Sequence, residues 1–158
     1  MGNCITQMCL ATATYENTTV NTFEGQTFVV KPVKIYDGDT LWVAVVTGKK
    51  YGCIPKRQRV NVRMQDYDSP ELHPKTNKKD NIYLAEIAAA NVAKEFLEAL
   101  LRDKRVTAHF GKHDKYGRNL AELFVDGTSI NKIMITTGHG VPYKGGAKTA
   151  FTGQAPFL

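Results

Sequence analysis

The chain has 158 residues, 42% apolar and 23% charged, globular proportions that exclude collagen, coiled coil and wholesale disorder and suit one domain with modest tails. Lys and Arg outnumber Asp and Glu by 21 to 15, and the resulting +6 favours anionic partners such as nucleic acid or an acidic membrane surface. Asn91, Lys94 and Glu95 interrupt the most apolar stretch, and Cys4, Cys9 and Cys53 lack zinc spacing, which points to a reduced, intracellular chain without a spanning helix.

Residues 1 to 30 contain no Lys or Arg, which disfavours a secretory signal and an Arg-rich transit peptide. Met1-Gly2-Asn3-Cys4-Ile5-Thr6 matches the acceptor pattern for N-myristoylation, with Gly2 exposed after Met removal and Thr in sixth place. One acyl chain holds a membrane only marginally, and Cys4 is placed to add a second by S-acylation. Gly2 and Cys4 are therefore read as lipidation sites that would tether the chain to a cytoplasmic membrane face. The plainer alternative is a flexible leader, residues 1–25, rich in Thr and Asn and without a role. The Asn17-Thr18-Thr19 sequon belongs to that leader, since glycosylation requires a secretory route.

From Gln26 the pattern turns to β-type runs: Thr27 to Tyr36 and Thr40 to Thr47 form a hairpin around Asp37-Gly38-Asp39. A basic loop follows, with Lys49, Lys50, Lys56, Arg57 and Arg59 among Gly48, Gly52 and Pro55. Val60, Val62 and Met64 then alternate with Arg59, Asn61 and Arg63, which leaves Arg63 on an accessible face. Residues 72 to 80 are polar and lysine-bearing and read as a loop, with Asp80 as a cap for the next element. Between Asn81 and Asp103, Ala85, Ala89, Val92, Phe96 and Leu100, with Ala93 and Leu97 beside them, predict one long amphipathic helix. A second strand pair is centred on Val106 to Phe110 and Ala121 to Val125. A short helix presents Ile130, Ile133, Met134 and Thr137 and stops at Gly138. The strands stand too close together for parallel crossovers, so the expected fold is α+β: a small antiparallel barrel with one long and one short helix.

Alone, Asp37-Gly38-Asp39-Thr40 reads as a hairpin turn, and Asp66 to Glu71 as a solvated loop start. Together they are two acidic loops after strands, beside Arg63, and they suggest a hard-cation site next to a phosphate site. The ordered motifs Asp37-Gly38-Asp39-Thr40, Arg63 to Asp68-Ser69-Pro70-Glu71, Asp114-Lys115-Tyr116-Gly117-Arg118 and Asp126-Gly127 with Asn131 resemble those of the staphylococcal nuclease (thermonuclease) family. The resemblance covers roughly residues 28 to 144 and implies a domain over residues 26–144, followed by an irregular tail, 145–158. It implies a five-stranded OB-fold-type barrel and a calcium-dependent, sugar-nonspecific endonuclease that cuts DNA and RNA to 3′-phosphate and 5′-hydroxyl ends.

Carried over residue by residue, the resemblance makes Asp39, Asp68 and the Ser69 carbonyl the Ca²⁺ ligands, with Asp37 supporting the turn. Glu71 would hold or deprotonate the attacking water, and Arg63 and Arg118 would clamp the phosphate. Lys115, Tyr116 and Tyr143 correspond to nucleotide-contacting positions, where the alternative for the tyrosines is simple packing. His73, His109, His113 and His139 lack ligand spacing and read as structural or surface residues. Ser69 stands where the family usually has Thr, the stretch from Gly48 to Gln58 is longer than usual, and no helical periodicity follows Tyr143. The expected partners are DNA and RNA, single strands favoured, with a membrane surface through the acylated leader. No protein partner is expected, and the chain reads as a monomer. The rival reading is a catalytically inactive OB-fold module that binds single-stranded nucleic acid through the same basic surface.

Overall fold

In the computed structural model, which describes residues 14, 22–51, 54–75 and 81–146, alternating apolar side chains point inward along five long strands. The order is β1 (Thr27–Ile35), β2 (Thr40–Tyr51), β3 (Ile54–Met64), β4 (Tyr67–Asp68), α1 (Asn81–Leu101), β5 (Val106–His113), β6 (Asn119–Val125), β7 (Thr128–Ser129), α2 (Ile130–Thr136) and β8 (Val141–Pro142). Strands pair as β3-β2-β1-β5-β6, and β6 returns to β3 to close the barrel. Four seams are antiparallel, and the closing seam, Val62 to Met64 against Asn119 to Ala121, is parallel. Five strands in a ring cannot alternate direction throughout, so one like-directed seam is unavoidable. The OB-type five-stranded barrel with a long and a short helix is thus present, mixed at that one seam.

Leu41, Val43, Val60, Val62, Ala108, Phe110 and Leu123 fill the barrel and are excluded from solvent, while Phe23 and Phe28 close one end against Phe110 at 5.3 and 5.9 Å between ring centroids. The basic stretch after Gly48, expected as a loop, instead continues both strands: Lys49 faces Pro55 and Tyr51 faces Ile54. Backbone pairing overrides the Gly and Pro signals there, and two register shifts after Val46 absorb the irregularity. Asp80, expected to cap α1, lies outside the described residues, as do most of the leader and the tail.

α1 covers one side of the barrel, turned by one position from the expected stripe. Glu86, Ala90, Ala93, Leu97 and Leu101 are buried, whereas Val92 is 53% exposed. Close approach to the β1–β2 turn selects this phase, because only a small side chain fits where Ala93 meets Gly38. α2 begins at Ser129, whose hydroxyl accepts the Lys132 N–H at 3.3 Å, and buries Ile130 and Met134. Thr137, expected on the packed face, is instead the exposed residue that ends the helix. Asn131 ties α2 to the barrel: its Oδ1 accepts from Leu123 N–H at 3.0 Å and its Nδ2 donates to the Gln65 carbonyl at 2.8 Å.

A Cβ added at Gly38 would stand 2.8 Å from Ser69 Cβ and 2.9 Å from Ala93 Cβ. Gly38→Ala is therefore expected to destabilise by about 1–3 kcal/mol in urea unfolding. Adding Ala93→Gly should cost less than the two single changes summed, as a double-mutant cycle would read.

Candidate active site

The chain between β1 and β2 is bent by its own side chains. Asp37 Oδ1 accepts the N–H groups of Asp39 at 3.1 Å and Thr40 at 2.7 Å, so Asp37 builds the turn that presents Asp39. Asp39 is 2% exposed. Its Oδ1 accepts from Arg63 Nη1 at 2.7 Å and from the Thr40 hydroxyl at 2.7 Å, and its Oδ2 accepts the Ser69 N–H at 3.3 Å. Arg63, on the outward face of β3, also donates from Nη2 to Asp68 Oδ1, and one guanidinium thereby bridges both carboxylates.

Three buried carboxylates, Asp37, Asp39 and Asp68, surround that single buried cation, so negative charge is in local excess. Burial, then Asp37, pushes the Asp39 carboxyl up to about 7, against the lowering pull of Arg63 and the Thr40 hydroxyl. Burial also opposes the charge on Arg63, but Asp39, Asp68 and Asp37 outweigh it and raise the guanidinium above its ordinary value. The Tyr67 hydroxyl donates to the Gly38 carbonyl at 2.6 Å. Burial, with Asp39 and Asp37 nearby, lifts Tyr67 well above the usual phenol range, so it stays a donor.

Arg118 arrives from the β5–β6 turn. Asp114 Oδ1 accepts the N–H groups of Tyr116 at 2.8 Å and Arg118 at 2.9 Å, and Oδ2 accepts Arg118 Nε at 2.7 Å. Burial alone would raise Asp114, but these bonds outweigh it and hold the carboxyl below its ordinary value. Gly117, at φ 77°, supplies the left-handed step that lets the turn close. Arg118 Nη1 then reaches the Thr40 hydroxyl at 3.4 Å, so Arg118, Thr40, Asp39 and Arg63 form one hydrogen-bonded chain.

Each arginine has a tyrosine beside it. Arg63 Cζ lies 5.9 Å from the ring of Tyr143, the residue that follows β8 where it pairs with β4. Arg118 Cζ lies 5.6 Å from the Tyr116 ring, 73% exposed, with Lys115 Nζ at 5.1 Å from the same ring. Ser69 is buried, and Glu71 is half-buried with its N–H donating to Glu86 Oε1 at 3.2 Å. The structure therefore gathers Asp39, Arg63, Asp68, Ser69 and Arg118 and sets Glu71 on the adjoining loop. Gly2 and Cys4 lie outside the described residues. Among the histidines, His139 stacks on Phe96 at 4.1 Å and His109 Nδ1 pairs with the Thr27 hydroxyl at 3.0 Å.

Sequence reasoning missed Glu86 and Tyr67. Glu86 was discoverable as the one charged residue on the spacing 86, 90, 93, 97, 101. Tyr67 carried no such signal beyond its place between Asp66 and Asp68. The donor set of Asp39, Asp68 and the Ser69 carbonyl is all oxygen, and it sits in an anionic surplus, so its chemistry fits a hard cation such as calcium. Among the described residues no three His, Cys, Asp or Glu side chains converge closely enough to hold an ion by themselves, and the Arg63 guanidinium stands between the two carboxylates.

A closed OB-type barrel with buried carboxylates and two arginines clustered at the β1–β2 turn defines a nuclease-like domain. The chain belongs to the family described as staphylococcal nuclease homologue, whose sequence model matches residues 61–155. It is 34% identical over 117 residues to an uncharacterized protein of Bacillus anthracis, covering 70% of this chain and 45% of that one. It is 30% identical over 132 residues to an uncharacterized protein of Methanocaldococcus jannaschii, covering 72% and 58%. An uncharacterized endonuclease of Escherichia coli O157:H7 is 26% identical over 113 residues, covering 71% and 59%. The chain thus spans about half the length of the curated relatives it matches.

The Asp39 shift has a definite sign. With its folded value near 7 against 3.8, the folded chain holds more protons than the unfolded chain between those values. Its contribution to stability in chelator therefore declines as pH rises through about 4 to 7 and levels off above. Asp39→Asn is expected to remove that decline, read as the difference in urea midpoint between variant and native chain at each pH.

Proposed function

We propose that this protein is a calcium-dependent, sugar-nonspecific endonuclease that hydrolyses phosphodiester bonds of DNA and RNA to 3′-phosphate and 5′-hydroxyl ends. The observation that carries the reading is the Arg63–Asp39–Thr40–Arg118 chain, which holds two guanidiniums beside buried carboxylates. A pure strand binder gains nothing from carboxylates that repel phosphate, which makes the inactive OB module the weaker account. The endonuclease name of the Escherichia coli relatives supports the same class.

Asp39, Asp68 and the Ser69 carbonyl would hold the calcium, which when bound would polarise a phosphate oxygen as a Lewis acid. Arg63 exchanges part of its carboxylate pairing for phosphate oxygens, and Arg118 approaches from the Thr40 side, so planar donors orient the phosphate. Both offset the charge that builds on the pentacoordinate transition state. Glu71 takes the proton of the attacking water while Glu86 fixes its loop. The water oxygen bonds to phosphorus, the bond to the 5′ oxygen breaks, and that oxygen takes a proton from solvent water to leave as a hydroxyl, while Glu71 later returns its proton to solvent. Lys115, Tyr116 and Tyr143 flank the phosphate and face the neighbouring nucleotides, an arrangement that suits unpaired bases. The protein acts as a monomer, and acylation of Gly2 and Cys4 brings it to a cytoplasmic membrane face.

Cleavage of single-stranded DNA and RNA with calcium, with magnesium and with chelator tests the enzyme. Activity is expected with calcium, and Glu71→Gln and Arg118→Ala should each lower kcat by about 10²–10³-fold. Strand binding without cleavage in every metal condition would leave the OB binding module instead. Labelled myristate should enter the full chain in a eukaryotic host and be lost in Gly2→Ala; no incorporation would remove the anchor.

A further inference from the structure

β1, β2 and β3 together carry eight Lys and Arg residues and no Asp or Glu. Alternation sends Leu41, Val43 and Val45 into the core, and so turns Thr40, Trp42, Ala44 and Val46 outward. Opposite them on β3 stand, in register, Arg63, Asn61, Arg59 and Arg57, and Lys34 of β1 faces Trp42 from the other side. Between these strands runs an open groove of about 630 Å³ lined by Lys34, Trp42, Ala44, Arg57 and Arg59, with Val33 at its margin. Among the described residues no carboxylate forms an ion pair with Lys34, Arg57 or Arg59, and all three are exposed. The Arg59 guanidinium lies 5.1 Å from the centre of the Trp42 ring, a cation–π pair that lines this groove.

The strip is continuous with the catalytic cluster. Arg63 begins it, and at roughly 3.3 Å per residue Arg59 lies about 13 Å and Arg57 about 20 Å further along β3. We infer that the outer face of β1–β2–β3 is a binding track for single-stranded nucleic acid, with a base stacked at Trp42 and Arg59 and phosphates held by Lys34 and Arg57. Uncompensated cations supply the attraction for a polyanion, and the aromatic ring selects one with exposed bases. An acidic bilayer would satisfy the cations alone, but it is a flat surface, whereas here the indole lies in a concave groove. The inference rests on the proposed nuclease function for its substrate class; strand binding itself needs no cleavage.

Trp42 is the single tryptophan of the chain, so its fluorescence reports the track directly. Titration of the full chain with a 20-residue DNA strand in chelator is expected to quench that fluorescence saturably. In anisotropy with the same strand, Trp42→Ala should weaken binding on the order of 5- to 100-fold, and Trp42→Phe should restore most of it. Arg57→Ala with Arg59→Ala should make the slope of log affinity against log salt shallower by about 0.7, the share of the one phosphate contact that the pair removes. An unquenched indole together with unchanged binding in Trp42→Ala overturns the track, even if the protein cuts DNA. Equal quenching by phosphatidylserine vesicles, lost in the same arginine variants, overturns it in favour of a membrane surface. Quenching that persists in a protein without cleavage under any metal leaves the track standing and removes the nuclease reading alone.

Discussion

The guanidinium of Arg63 joins the two acidic segments of the site through one buried cation. Asp39 comes from the β1–β2 turn and Asp68 from the short strand after β3, and both carboxylates are buried against the same cation. Removing the arginine would take the counterion from two buried carboxylates, a change that costs about 3–5 kcal/mol in comparable pairs. The backbone enforces the same arrangement: Met64 N–H donates to the Asp39 carbonyl at 2.7 Å and Gln65 N–H to the Ala121 carbonyl at 3.0 Å. The seam that closes the barrel and the bridge that assembles the site therefore occupy the same few residues of β3. Folding the barrel correctly is nearly equivalent to building the site.

Charge is divided between two regions of this surface. The first three strands carry Lys and Arg and no carboxylate, while Asp37, Asp39 and Asp68 collect at one end of them. A polyanion is drawn to the first region and repelled by the carboxylates of the second unless a cation or a guanidinium screens them. Arg63 stands at the junction and belongs to both. The raised Asp39 carboxyl records the same electrostatic surplus from within, because burial and Asp37 outweigh what one arginine returns.

Much of this was legible in the residues. Strict alternation around Val60, Val62 and Met64, and again around Val106 to Phe110, fixed the strands and the outward placement of Arg63. The four ordered motifs named the carboxylates and arginines that the fold then gathered. The phase of α1 was not legible, because Ala85, Ala88, Ala89, Ala90 and Ala93 make several sides of the helix apolar, and tertiary contact with Gly38 decides among them. Glu86 stayed hidden for the same reason, since a charged residue on a helix is ordinarily a solvated one. The stretch from Gly48 to Gln58 read as a loop from its glycine, proline and charge, yet Lys49 and Tyr51 of β2 pair with Pro55 and Ile54 of β3. Local signals of that kind lose to long-range pairing, which a sequence does not display.

Tyr67 explains why the bridge is held and does not merely form. Asp66 before it adopts φ 66°, a left-handed step tolerated by Asp, and so reverses the chain immediately after β3. That reversal sends the Tyr67 ring inward, where its hydroxyl takes the Gly38 carbonyl, and leaves Asp68 facing Arg63. Tyr143 N–H donates to the Asp66 carbonyl at 2.9 Å, so the strand after α2 secures the same turn from the other side. Gly140 is part of this arrangement, since a side chain there would run into the Tyr67 ring and the Asp68 carbonyl. Because burial and the neighbouring carboxylates keep the Tyr67 phenol protonated, the bond to Gly38 does not depend on the charge state of the site. A neutral donor thus positions the Asp39 turn whatever charge the groups around it carry.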